Sequence, residues 1–252
     1  MSSTFSPPDA PLATLHLWGV SGPGVARALL RMGADRPALR ATPGLRFAKL
    51  LGTGSGQTFS PRDADLRRWG LFAVWDGPAA LSAFERTSGV ARAWAALADE
   101  RWRVQLAVLR SHGRWSGREP FAGALRHAHG AGGPVAALTR ARIRWTAQRT
   151  FWRAVPAVSA DLRDQPGLRF AVGIGDAPTG LQGTFSVWDD AAALARFAYG
   201  GAAHRAAIQR TAETGWYAEE LFTRFSVLAS EGTVCGRDPA VRASQRAASG
   251  GG

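Results

Sequence analysis

Pro43-Gly44-Leu45-Arg46-Phe47-Ala48 returns 123 residues later as Pro166-Gly167-Leu168-Arg169-Phe170-Ala171. Val74-Trp75-Asp76, with Ala79-Ala80-Leu81 and Phe84, returns as Val187-Trp188-Asp189 with Ala192-Ala193-Leu194 and Phe197, an offset of 113. Val108-Leu109, Ser111, Gly113 and Gly117-Arg118-Glu119-Pro120 return as Val227-Leu228, Ser230, Gly232 and Gly236-Arg237-Asp238-Pro239, an offset of 119. One such block could arise by chance in an Ala/Arg/Gly-rich chain. Three in the same order, with offsets that drift only by loop-sized amounts, indicate an internal duplication.

Working outward, each repeat reads as one unit. The first has strands near Leu15–Val20, Leu45–Leu51, Trp69–Trp75 and Trp102–Leu109. A helix opens at Val25, with Val25, Leu29 and Met32 on one face; a second starts after Asp76, read as its N-cap, and runs towards Leu97. The second repeat has strands near Leu138–Ile143, Leu168–Ile174, Gln182–Trp188 and Leu221–Leu228, and helices near Thr146–Leu162 and Asp189–Glu213, the latter broken at Gly200-Gly201. The order β-α-β-β-α-β is the ferredoxin-like unit. The expected fold is therefore α+β: a tandem duplication of ferredoxin-like βαββαβ units, packed as a dimeric α/β-barrel-like pseudo-dimer. Residues 1–11 read as a disordered N-terminus, 12–122 as the first repeat, 123–133 as a linker, 134–239 as the second repeat and 240–252 as a disordered tail.

Composition narrows the function. Of 252 residues 46% are apolar, enough to bury a core. The net charge of +12 is spread evenly, and all basic residues but Lys49 are Arg, so no clustered nucleic-acid footprint exists. A weak contact with an anionic membrane surface suits the charge better. Cys235 is the sole cysteine, which excludes an intramolecular disulfide framework and a cysteine-cluster zinc site. The N-terminus shows no secretory pattern and no apolar run is long enough to span a bilayer, so a cytoplasmic protein is expected.

No stretch matches a P-loop, a dinucleotide fingerprint, a nucleophile elbow or a zinc-protease helix. Gly52-Thr53-Gly54-Ser55-Gly56 falls between two strands and reads as a loop. Among five histidines, His127 and His129 fall in the linker, His112 just after a strand, and His16 within one. His204 shares a helical face with Ala207, Ile208 and Thr211, and its repeat counterpart is Ala91. Spacing alone favours a core histidine with satisfied ring nitrogens. The sharper alternative is an axial ligand to haem iron, with small neighbours leaving room for a flat group. Trp216-Tyr217-Ala218-Glu219-Glu220-Leu221-Phe222-Thr223-Arg224-Phe225 is the densest aromatic and charged segment; as a strand it turns Glu220, Phe222 and Arg224 one way and Leu221 and Phe225 the other. Arg140, Arg142 and Arg144 alternate on one strand, either as a solvated face or as a basic wall for carboxylates.

Together, Phe185-Ser186-Val187-Trp188-Asp189, Phe197-Ala198-Tyr199, His204, Thr211, Gly215 and the Trp216–Phe225 segment, with Leu138–Arg144 and Phe151-Trp152, resemble the spheroidene monooxygenase family of carotenoid biosynthesis. The resemblance covers most of residues 12–239. It implies a fold shared with haem-containing aldoxime dehydratases and small cofactor-free monooxygenases. It also implies a haem-dependent monooxygenase that hydroxylates a carotenoid or similar apolar polyene and oxidises it to a ketone, using O2 and reduced ferredoxin. His204 would then ligate the iron, Arg142 or Arg224 meet a propionate, and Trp216 border the cofactor, while Trp188, Tyr217 and Phe222 line the substrate pocket. The rival expectations are a cofactor-independent monooxygenase acting on an aromatic or polyketide-like substrate, and a non-enzymatic small-ligand-binding protein.

Overall fold

The computed structural model describes residues 10–54, 63–122, 133–144, 162, 165–176, 183–200 (side chains to 198) and 217–241. Eight strands form a mostly antiparallel α+β structure: β1 (Leu12–Gly19), β2 (Leu45–Gly54), β3 (Ala64–Trp75), β4 (Glu100–Gly113), β5 (Val135–Ile143), β6 (Leu168–Gly175), β7 (Gly183–Trp188) and β8 (Tyr217–Gly232). Five described helices accompany them: α1 (Val25–Ala34), α2 (Arg36–Arg40), α3 (Pro78–Thr87), α4 (Gly89–Leu97) and α5 (Ala191–Gly200).

The strands close into a barrel in the order β1-β3-β2-β6-β7-β5-β8-β4, with every neighbouring pair antiparallel. Each half has the same internal order, 4-1-3-2 in the first and 8-5-7-6 in the second. A long seam joins β4 to β8 and a short one joins Gly52–Gly54 to Gly173–Gly175. Strand alternation sends one set of side chains into the lumen. Leu15, Leu17, Phe72, Trp102, Leu106, Trp115, Leu138, Phe185, Leu221 and Phe225 fill it from both halves. The opposite faces of the two sheets look outward towards the helices.

The quoted Pro-Gly-Leu-Arg-Phe-Ala stretches explain why both halves begin alike. Gly44 has φ +72° and Gly167 φ +89°, and a Cβ there would lie 2.5 Å from Ala80 Cβ and 2.6 Å from Ala193 Cβ respectively. Only glycine allows the turn to pass so close to the following helix. Each turn then receives an N–H on its glycine carbonyl, from Asp76 and Asp189, both at 2.8 Å. The paired β-bulges at Leu45/Phe47 and Leu168/Phe170 also fall at matching places.

Several local readings are corrected. Asp76 is not the N-cap; Gly77 holds that place in extended backbone, and the Asp76 carboxylate accepts from Arg46 instead. The helix expected to reach Leu97 is two helices, because Ser88 leaves helical geometry and its Oγ accepts from the N–H groups of Val90 and Ala91. His112 is not in a loop: β4 runs to Gly113 and β8 is 16 residues long, since the two extend along their shared seam. Ala240 is 8% exposed and its carbonyl accepts from Arg169, so the packed chain continues past residue 239.

Candidate functional site

Because the lumen is filled, the place to look is the outer face of each sheet. On the first half, cross-strand registers set Arg103, His16, Leu71 and Leu50 in one row and Arg101, Trp18, Trp69 and Gly52 in the next. Helices α1–α4 cover this face. Trp18 stacks on Trp94 at 4.7 Å, Trp75 meets Phe84 at 5.0 Å, and Trp94 Nε1 donates to Asp35 Oδ2 at 2.9 Å. His16 is 8% exposed, and burial, together with the Arg103 guanidinium, lowers its imidazole pKa to about 3.

The corresponding rows of the second half differ in kind. Phe222, Thr139, Thr184 and Gly173 stand where the first half has Arg103, His16, Leu71 and Leu50. Ala141 stands where the first half has Trp18. Thr139 is exposed and Phe222 is 39% exposed, although their counterparts are sheltered. Among the described residues, α5 and Leu162 cover one end, where buried Trp188 stacks on Phe197 at 5.2 Å beside Val135, Ala193 and Leu194. From Val135 to Thr139 is about 13 Å along a strand. The face beyond α5 is therefore floored by small side chains and one aromatic ring.

Two basic side chains border that floor. A β-bulge at Leu109 sets Arg110 opposite Arg224 on the outward side, so like charges face each other across β4 and β8. The next pair is His112 and Phe222, with His112 Nε2 3.8 Å from Glu220 Oε1. Arg110 and His112 were missed by sequence reasoning. The bulge that turns Arg110 outward has no sequence signature, whereas the position of His112 followed from the length of β4.

The named site residues fall as follows. His204 and Trp216 lie outside the described residues. Trp188 is fully buried under α5, its Nε1 donating to Ser186 Oγ at 2.9 Å, so it closes one end of the floor rather than lining its open part. Phe222 and Arg224 share the outward face. A second bulge places Tyr217 opposite Ile143, on that same side. Arg142 does not join them: it alternates with Leu138 and Arg140 on the lumen side and is exposed at the barrel mouth. The structure thus separates Arg142 from Arg224. The basic pair on the candidate face is Arg110 and Arg224.

Nor is Arg140 part of a solvated face. It enters the barrel end, 4% exposed, with its guanidinium 5.5 Å from the Trp115 ring centroid. Glu219 and Asp176 neutralise it, and Lys49 lies 3.6 Å from Asp176. Burial pushes the Glu219 carboxyl up, but donation from the N–H groups of Gly117 and Ser116 and from Arg140 outweighs it, and its pKa lies below the usual range. Glu100 makes the same contacts in the other half, accepting from Cys235 N and Gly236 N. These clusters tie the halves together and pair their charges, although Arg140 Nε is buried without a hydrogen-bond partner; we assign them to architecture. Among the described residues no three His, Cys, Asp or Glu side chains converge as metal ligands.

The architecture is that of an α+β barrel. An aldoxime dehydratase of known structure aligns over 86% of this chain and 81% of its own, with a TM-score of 0.53 at 13% identity, a likeness of fold. No family model matches the chain. Curated relatives are closer. Spheroidene monooxygenase of Rhodobacter capsulatus is 35% identical over 230 residues, covering 91% of this chain and 95% of the relative. Spheroidene monooxygenase of Rubrivivax gelatinosus is 38% identical over 201 residues, covering 80% and 75%. The chain belongs to the spheroidene monooxygenase family and is a monooxygenase.

Proposed function

We propose that the chain is a haem-dependent monooxygenase that takes a carotenoid, or a similar apolar polyene, through hydroxylation to a ketone with O2 and electrons from reduced ferredoxin. In this reading the halves are duplicated ferredoxin-like units, 12–122 and 134–239, joined by a linker at 123–133 and packed as a pseudo-dimer. Their common strand order and matched turns support it. The names of the relatives support the substrate class.

The observation that carries the cofactor assignment is the difference between the outer faces. Where the first half is filled by Trp18, His16, Leu50 and Leu71, the second leaves Ala141, Thr139, Gly173 and Thr184. A flat apolar group with an anionic edge suits such a floor: Phe222 offers an apolar surface, and Arg110 with Arg224 offers partners for carboxylates. His204 would be the iron ligand, with Trp216 and Tyr217 bordering the group. Bound haem supplies the oxygen chemistry, and the protein's part is to hold it, orient the substrate and exclude water. Trp188, stacked on Phe197, closes the end under α5 and excludes water there.

A chain of ~40 carbons exceeds a usual pocket of about 300–1,000 Å³, so one end enters while the rest stays in lipid. A cytoplasmic protein resting on a membrane meets that need, and the charge of +12 also suits an acidic electron donor.

The test is the visible spectrum of the purified protein after haem supplementation. A Soret band that His204→Ala removes and Arg110→Ala with Arg224→Ala weakens is expected. A colourless protein that oxidises an electron-rich aromatic would instead favour cofactor-free chemistry. Expression in a carotenoid-producing host should change the pigments, and unchanged pigments would overturn the substrate.

A further inference from the structure

Helix α1 has apolar residues on nearly all sides. Val25, Ala28 and Met32 face the core, with Ala28 fully buried. The apolar arc continues past that face through Leu29, Gly33, Ala26, Leu30 and Ala34, and Leu29, expected on one face with Val25 and Met32, is exposed instead of packed into the core with them. Leu29 is 61% exposed and Leu30 74%, the two most exposed large apolar side chains among the described residues. Arg27 is the one charged residue on that arc's edge. A helix that is apolar on both sides needs cover on both.

The charge around it indicates what the cover is. From Val25 to Arg40 the sequence has Arg27, Arg31, Arg36 and Arg40, while Arg46 and Lys49 beyond it pair with Asp76 and Asp176. The only acid in that span is Asp35, 7% exposed and held by Arg31 and Trp94. Arg27, Arg36 and Arg40 are exposed. Two protruding leucines on α1, with Arg27, Arg36 and Arg40 as the exposed charges of α1 and α2, form an interfacial anchor for anionic lipid. A second copy of the same surface would bring like charges together.

We propose that α1 and α2 are the surface by which the enzyme docks on an anionic bilayer, with Leu29 and Leu30 inserted and Arg27, Arg36 and Arg40 at the headgroups. The docking rests on the lipid-substrate reading for its purpose but is measured without substrate or haem. The full chain is sedimented with vesicles of phosphatidylcholine alone and of phosphatidylcholine with phosphatidylglycerol. Binding to the mixed vesicles, weakened by salt, is expected. Leu29→Ser with Leu30→Ser should weaken it by about tenfold or more, and Arg27→Gln with Arg40→Gln by about fivefold per charge.

These side chains are exposed, so the variants should keep the wild-type circular dichroism spectrum and, where haem binds, the same Soret band. That spectrum separates failed docking from a failed cofactor assignment. Wild-type protein that ignores mixed vesicles overturns the proposal, as does a Leu29/Leu30 variant that binds them like wild type. A wild-type dimer that the leucine variant dissolves, with no vesicle binding, would assign the surface to a second copy instead.

Discussion

The two halves of the barrel share strand order and turn geometry, yet their outer faces do opposite things. The first is closed by aromatic packing, with Trp18 on Trp94 and Trp75 on Phe84. Among the described residues the second is closed at the Trp188–Phe197 end, while Thr139 and Phe222 beyond it are exposed. Equal backbones with unequal side chains teach that, on the proposed reading, the site would come from exchanging large residues for small ones on one of two equivalent faces rather than from the scaffold. The other face keeps its bulk and stabilises the barrel.

Installing the side chains of the first face on the second should have the largest effect. Thr184→Leu with Thr139→His puts the bulk of Leu71 and His16 onto the floor of the second face. We expect the fold to survive, as read by circular dichroism, while haem uptake and pigment oxidation fall to background. Full activity in this variant would mean that the floor is not the site. Threonine 139 is exposed, so loss of fold is not the expected route to inactivity.

The strands and the matched turns were legible because they rest on local patterns: alternation, and a glycine that must lie against a helix. The direction of Arg140 was not. Its strand alternates arginines as a solvated face would, and only the closure of the barrel brings Trp115, Asp176 and Glu219 around it. Arg110 was hidden for a related reason, since the bulge at Leu109 turns it to the other side of the sheet. The capping pair Glu100 and Glu219 could have been found, because it has the offset of 119 already visible in Val108 and Val227.

The closed face should also reveal itself through pH. His16 is buried, its Nε2 lacks a hydrogen-bond partner, and its pKa is lowered from 6.5 to about 3. Between these values the unfolded chain binds a proton that the folded chain refuses. Stability is therefore fully present above pH 6.5 and falls as pH drops, at about 1.4 kcal/mol per unit, for a total of roughly 4–5 kcal/mol near pH 3. Urea titrations across this range should show the slope, and His16→Leu should flatten it. An unchanged slope in that variant would place the acid sensitivity elsewhere. Thr139, the counterpart on the open face, contributes no such titration.

The smallest expected difference lies between the two glutamates that cap the turns of the opposite half. Glu219 has its side chain 9% exposed and faces Arg140 at 5%, whereas Glu100 is 26% exposed and its nearest guanidinium, from Arg68, is 4.0 Å away. Removing one partner of a buried pair costs about 3–5 kcal/mol. Losing charge-assisted bonds at a more solvated carboxylate costs about 1–2 kcal/mol. Glu219→Gln should therefore destabilise by about 3 kcal/mol and Glu100→Gln by about half that, measured by chemical denaturation. Both carboxyls lie below their usual pKa, so this stability is present above the unfolded value and is lost as acid protonates the folded state. Equal losses from the two substitutions would mean that Arg140 draws its neutralisation mainly from Asp176. The asymmetry of the barrel would then be confined to its outer faces.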